Sequence, residues 1–210
     1  CKERIMMTII KSGIILAAGL SSRMGSCKPF MDINGKKMID WTVDSMIDGG
    51  VKDLIIVTGY RSLDIQKHLS LSYPGMLKFV KNEDYKNGNM FDSMKCGFRA
   101  LGETDAVYLL PADMPAVSKE TFFVLEEKMC VSRKKIFLPT VGGYRKHPPL
   151  IAAEIVYQIL SYNGENGLRG FWKEQADQIE EVEVEDIGCT LDADYPEDIE
   201  KLKKYLAVSG

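Results

Sequence analysis

The stretch Leu16-Ala-Ala-Gly-Leu-Ser-Ser-Arg-Met-Gly25, with Lys28 shortly after it, holds the residues best suited to chemistry. An apolar run from Gly13 to Ala18 stops abruptly in a loop of glycine and serine, which carries Arg23 and, at its far end, Lys28. Small residues let a backbone approach an anion, exposed N–H groups can point at it, and two fixed cations neutralise it. The pattern suits a polyphosphate. It is not a P-loop, G-x-x-x-x-G-K-[ST], because five residues separate Gly19 from Gly25 and Ser26-Cys27-Lys28-Pro29 follows. Nor is it the dinucleotide fingerprint G-x-G-x-x-G, because Ser21 stands where the second glycine belongs.

Other ionisable groups lie at expected element ends on the same reasoning of residue type and spacing. Asp113 follows an apolar run in Leu109-Leu-Pro-Ala-Asp-Met-Pro115, between two prolines that stiffen its backbone. Ser118 is placed to cap the next helix, which leaves the Asp113 carboxylate for a ligand. Asp192 and Asp194 precede a helix whose first turn, with Glu197 and Asp198, satisfies the helix dipole. Arg145, Lys146 and His147 form a cationic run, and Arg169 follows the turn Gly164-Glu-Asn-Gly167. No Ser-His-Asp or Cys-His pattern stands out, and His68 needs no function.

The elements that must position these groups alternate between strand and helix. Strands are expected at Gly13–Ala18, Leu54–Thr58, Leu77–Val80, Ala106–Leu110, Ile136–Leu138 and Pro148–Ala152. Helices are expected at Met38–Ile47, Ser62–Leu69 with Ser62 as N-cap, Asn89–Leu101, Ser118–Met129, Glu154–Leu160, Leu168–Glu174 and Tyr195–Leu206. Ile179–Val184 alternates and reads as an edge or antiparallel strand. Continuous apolar strands between helices indicate a mainly parallel sheet covered on both faces. The carboxyl edge of such a sheet, where Gly19 and Asp113 fall, is where ligands bind.

At 210 residues, with 45% hydrophobic and 27% charged residues, the chain suits one globular domain, expected at residues 9–207. Residues 1–8 read as an added or disordered start, or as the cut edge of a longer protein. A net charge of −3 argues against a nucleic-acid surface, and no apolar run is long enough for a membrane span. The five cysteines are scattered without a C-x-x-C pair, which fits a reducing cytoplasm. Cys27 reads as a small filler in the loop rather than a reactive thiol.

The composite A-A-G-x-S-x-R-M-G-x-x-K resembles the signature of the MobA-like nucleotidyltransferases, and within them the chain looks most like the molybdenum cofactor cytidylyltransferases and their relatives. The resemblance spans about residues 10–206 and implies a three-layer, Rossmann-like α/β fold with a mainly parallel central sheet. It implies that Arg23 and Lys28 hold the phosphates of a nucleoside triphosphate. It assigns Leu16, Ala17, Ala18, Gly19, Ser21, Ser22, Gly59 and Ser93 to the nucleotide. The family's D-x-P element matches at Asp113 and its D-x-D-T-P-E-D element at Asp192 to Asp198, with Tyr195 for Thr; these imply Mg²⁺ on Asp113, Asp194 and Asp192.

Relatives usually carry a serine four residues after a nucleotide-facing glycine; here Ser93 is five after Gly88, so either one residue is inserted or Asn89 takes the glycine's place. Gly142–Ile151 resembles G-x-x-G-H-P-x-L-I, with Lys146 in place of glycine, and assigns His147 and Arg145 to the acceptor. Gly164–Arg169 resembles G-D-x-G-x-R; Arg169 either faces the acceptor or pairs with a surface carboxylate.

Together these resemblances imply a cytoplasmic, Mg²⁺-dependent enzyme that moves CMP from CTP to the phosphate of molybdopterin, releasing pyrophosphate, with Arg23, Lys28 and Asp113 catalytic. The expected protein partner is a molybdenum hydroxylase or another maturation protein. Three alternatives stand beside it. They are GTP with the same cofactor, a sugar or polyol phosphate as acceptor, and a non-catalytic nucleotide-binding accessory protein. The joint presence of Arg23, Lys28, Asp113 and Asp194 favours catalysis, because a binding module could dispense with the carboxylates.

Overall fold

A computed structural model of the chain describes residues 9–19 and 27–209. In chain order the elements are β1 (Lys11–Ala17), β2 (Asp32–Ile33), β3 (Lys36–Lys37), α1 (Met38–Asp48), β4 (Asp53–Thr58), α2 (Ser62–Ser72), β5 (Leu77–Lys81) and α3 (Met90–Arg99). They continue with β6 (Ala106–Pro111), α4 (Lys119–Val131), β7 (Ile136–Val141), β8 (Tyr144–Arg145), β9 (Leu150–Ala152), α5 (Ala153–Ser161), α6 (Gly167–Glu174), β10 (Ile179–Glu183) and α7 (Pro196–Ser209).

The main sheet runs β10-β7-β9-β6-β1-β4-β5, with β8 hairpinned onto β7. Helices cover both faces, the α/β arrangement that the alternating pattern predicts. Side-chain alternation sorts the core. Ile15, Leu54, Ile56, Tyr108 and Leu110 face one layer with α1, α2 and α4, while Ile14, Ile55, Val57, Val107 and Leu109 face the other with α3, α5 and α6. A third apolar cluster joins Ile33, Met38, Ala116 and Ala193 to Ile199, Leu202 and Leu206 of α7.

β1 is central, parallel to β4 on one side and to β6 on the other, with Leu16 opposite Pro111. Parallel pairing in this register puts the Gly19 loop and the Asp113 turn side by side at one sheet edge. β9 is antiparallel to both β6 and β7. β10 lies at an edge, as expected, and pairs parallel to β7 rather than antiparallel.

Two caps differ from expectation. Arg61, in the left-handed region at φ 53°, is the N-cap of α2; Ser62 lies inside the helix, and its Oγ is 2.7 Å from Thr58 Oγ1. Ser118 occupies the N-cap of α4 without a side-chain bond, and its N–H donates instead to Asp186 Oδ2 at 2.8 Å. A carboxylate from a distant turn thus takes the N-cap N–H, the bond that an acidic N3 side chain makes in a capping box.

Candidate active site

Two clefts open at the carboxyl edge of β1 and β6 and share a wall. The first, about 300 Å³, is lined by Leu16, Ala17, Ala18 and Gly19 from the end of β1, by Lys28, by Ser93 of α3, and by Asp113 after β6. The second, about 770 Å³, is lined by Arg145, Lys146 and His147 and, across from them, by Leu168, Arg169 and Trp172 of α6. Asn89 and Met90, at the start of α3, line both. Arg23, Ser21 and Ser22 lie outside the described residues.

Lys28 begins a single helical turn, Lys28–Phe30, with Pro29 in its first positions. Its Nζ donates to Asp194 Oδ1 at 2.8 Å and to Asp113 Oδ2 at 3.2 Å. Burial works against the charge, but the bonds to Asp194 and Asp113 outweigh it and raise the lysine pKa. The two carboxylates, far apart in sequence, therefore converge on one cation-sized point. Asp113 is held there from both sides, since its own carbonyl accepts from the Ala193 N–H at 3.0 Å and Ala112 N–H donates to the Leu16 carbonyl at 3.0 Å. Hard carboxylate oxygens around one point suit a divalent ion that completes its shell with water and phosphate. Among the described residues no group of three or more His, Cys, Asp or Glu forms a ready-made cage.

Asp192 differs from this pair. It is exposed, and its pKa is raised by partial burial first and by the charges of Asp194 and Asp113 next. Its negative charge also reaches His147, where it opposes the lowering of that pKa by burial. Asp192 lines neither cleft.

The segment before α3 brings both Gly88 and Asn89 to the site. Both line the first cleft, and the Gly88 N–H donates to the Asp84 carbonyl at 2.8 Å. Asn89 is the N-cap of α3, accepting from Phe91 and Asp92 N–H, while Asp92 accepts from the Asn89 N–H in a reciprocal capping box. Ser93 is buried, and its Oγ lies 3.0 Å from Asn82 Nδ2. Gly59 does not line the cleft. A Cβ there would lie 2.6 Å from the Ala18 carbonyl and 2.7 Å from Tyr85 Cβ, so only glycine lets the end of β4 pack this closely against Ala18 and Tyr85.

In the second cleft, Arg145 lines the wall while its Nε donates to Glu181 at 2.7 Å, and the exposed Arg169 lines it as well. His147 also lines it; burial lowers its pKa, keeping the ring neutral near pH 7, and its buried Nδ1 has no hydrogen-bond partner among the described residues. Cys27 is half-buried, and burial raises its thiol pKa, which fits the filler reading.

Sequence reasoning missed Tyr85 and Lys86 in the first cleft and Trp172 in the second. The pair Tyr85-Lys86 ahead of Gly88 was a readable signal, an aromatic and a cation beside a glycine turn. So was Trp172, placed three residues after Arg169 and hence on the same helix face.

Comparison with known proteins fits this geometry. The MobA-like NTP transferase domain profile matches residues 13–179. The chain belongs to this family. It is 28% identical over 192 residues to the molybdenum cofactor cytidylyltransferase of Escherichia coli K12, covering 88% of this chain and 91% of that protein. It is 25% identical over 214 residues to a probable molybdenum cofactor guanylyltransferase of Natranaerobius thermophilus, covering 95% and 98%. Among solved structures, a nucleotidyl transferase from Methanothermobacter thermautotroptrophicus superposes with a TM-score of 0.80 at 22% identity, covering 96% of this chain and 99% of that one, and so shares the fold. As a MobA-like NTP transferase the chain is a nucleotidyltransferase by family, with a mainly parallel, Rossmann-like sheet.

Proposed function

We propose that this cytoplasmic MobA-like transferase moves CMP from CTP to the phosphate of molybdopterin, with Mg²⁺ held by Asp113 and Asp194. The observation that carries the reading is the convergence of both carboxylates and Lys28 at the rim of the first cleft, with the larger cleft opening beside it. Its support for this acceptor is a cleft of about 770 Å³ edged by Arg145, Lys146 and Arg169, with Trp172 as a stacking face and the unpartnered His147 Nδ1 for a polar heterocycle. A buried polar atom without a partner is the state expected where a ligand completes the bond. The name of the Escherichia coli relative favours CTP and this cofactor.

In this reading the nucleotide sits along Leu16 to Gly19, with Ser93 and Asn89 at its inner side. An oxygen of the acceptor phosphate attacks the α-phosphorus from the second cleft. A new P–O bond forms, the bond to the β-phosphate oxygen breaks, and pyrophosphate leaves with the electron pair. An ionised phosphate needs no general base, so the chain's contribution is positioning and charge neutralisation. Bound at Asp113 and Asp194, Mg²⁺ supplies Lewis-acid stabilisation of charge on the phosphates. Lys28 turns from the carboxylates to the triphosphate, and Arg23 joins it there. Arg145 and Arg169 orient the acceptor. Asp192, two residues before Asp194, would be a third carboxylate available to the ion.

A pyrophosphate-release assay tests this, with each of the four nucleoside triphosphates against molybdopterin and simple sugar phosphates, with and without Mg²⁺. Release with CTP and the pterin in Mg²⁺ is the expected result. Release with GTP instead would favour the second reading, guanylyl transfer to the same cofactor, to which the Natranaerobius relative's name points. Tight nucleotide binding without release would favour an accessory role in maturing a molybdenum hydroxylase.

A further inference from the structure

Asp113 and Asp194 sit on segments with no local reason to be at a fixed separation. Octahedral coordination of a small divalent ion tolerates little variation in oxygen spacing. Some feature must lock the two segments together, and one carboxylate does so without touching either cleft. Asp186 follows β10 and opens the turn Ile187–Thr190. Its Oδ2 accepts from the Ser118 N–H and from Thr121 Oγ1, both at 2.8 Å, and from Cys189 Sγ at 3.3 Å. Its Oδ1 accepts from the Gly188 N–H at 2.8 Å and from Tyr205 of α7 at 3.4 Å.

Five donors from α4, the turn and α7 thus meet on one carboxylate. Charge-assisted hydrogen bonds are about twice as strong as neutral ones, and Thr121 and Cys189 are fully buried around it. The contact is also tight in shape. A Cβ on Gly188 would lie 1.8 Å from the Ala116 carbonyl oxygen, so only glycine lets the turn rest on the Asp113 segment. The next link is the Ala193 N–H bond to the Asp113 carbonyl at 3.0 Å.

The geometry points to Asp186 as the positioning residue that sets the separation of the Asp113 and Asp194 carboxylates. The proposal rests on the metal-binding reading above and extends it to a residue outside both clefts. Asp186 holds the turn to the start of α4, Gly188 brings it into contact with Ala116, and Ala193 closes the gap beside Asp194.

The test uses the full chain and two readouts: Mn²⁺ affinity by electron paramagnetic resonance with α,β-methylene CTP or its GTP counterpart, and amide hydrogen exchange at Ala193. Asp186→Asn is expected to weaken Mn²⁺ binding about tenfold, in the range found when partners of metal ligands are removed, and to speed exchange at Ala193. Nucleotide affinity without metal should hold. Tyr73→Phe, which removes hydrogen bonds to Asp40 and Asp44 at a remote helix contact, is the control for general destabilisation and should leave both readouts alone. If Asp186→Asn does not fold, Thr121→Val removes a single donor and is judged by the same readouts. Wild-type Mn²⁺ affinity or wild-type Ala193 exchange in a folded Asp186 or Thr121 variant would overturn the proposal, as would an equal loss in Tyr73→Phe. Mn²⁺ binding indifferent to Asp113→Asn would overturn the metal reading and the proposal with it; that result is distinct from a failed clamp because Ala193 exchange would still respond to Asp186→Asn.

Discussion

At Lys28 the ammonium occupies the point that a cation shared by Asp113 and Asp194 would take. Replacing it has two opposite consequences. Lys28→Ala should lower turnover by about 10²–10³, the usual loss for one preorganised electrostatic donor. The same variant should bind Mn²⁺ more tightly without nucleotide, because the competing charge is gone; unchanged affinity in a paramagnetic resonance titration would remove Lys28 from that point. Asp113→Ala should abolish Mg²⁺-dependent pyrophosphate release while circular dichroism stays native, and a variant active at ordinary Mg²⁺ would refute the assignment. His147 allows a pH test. Burial holds its folded pKa below 6.5, so the unfolded chain binds the proton more readily. Its stabilising contribution is therefore complete above about pH 6.5 and is lost as pH falls from there toward the folded value. Melting temperatures from pH 8 to 5 should fall less steeply for His147→Gln than for the parent chain; equal slopes would place the titration elsewhere.

At the scale of elements, the start of α3 does the most for the site. The capping box of Asn89 and Asp92 holds the first turn where both clefts meet. Asn89→Ala should cost about 1 kcal/mol by urea denaturation. Adding Asp92→Ala should cost less than its separate effect, because the two bonds are reciprocal; strict additivity would contradict a coupled cap. This cap was hidden in the sequence for an instructive reason. The spacing from Gly88 to Ser93 left open an insertion or a substitution by Asn89, and only the folded backbone shows Gly88 closing the loop and Asn89 opening the helix. Ser118 taught the converse. Its type and position suit a cap, yet its hydroxyl makes no capping bond, and its own N–H is satisfied by Asp186, remote in sequence.

Over the whole molecule, the two clefts share a wall at Asn89 and Met90 and open at one sheet edge. A ligand that joins a cytidine diphosphate to a pterin-like phosphate should therefore bind more tightly than either half, since one half raises the effective concentration of the other. Calorimetry showing no gain over the better half would mean that the clefts cannot be filled together. Much of this architecture was already legible in the chain. Continuous apolar runs such as Leu54–Val57 and Ala106–Leu110 and the breaks at Gly49-Gly50 dictated strands, helices and their alternation, because a strand buried on both faces is apolar at every position. The loop at Gly19, Asp113 and Asp194 also announced themselves by residue type. What the sequence could not determine was distance. That Asp113 and Asp194 meet on one Nζ, that Gly59 packs against Ala18 and Tyr85, and that Trp172 and Lys146 line one cleft all depend on parallel strand register and on contacts such as Asp186 with Ser118. Those contacts join residues far apart along the chain, and only the tertiary fold brings their atoms within reach of one another.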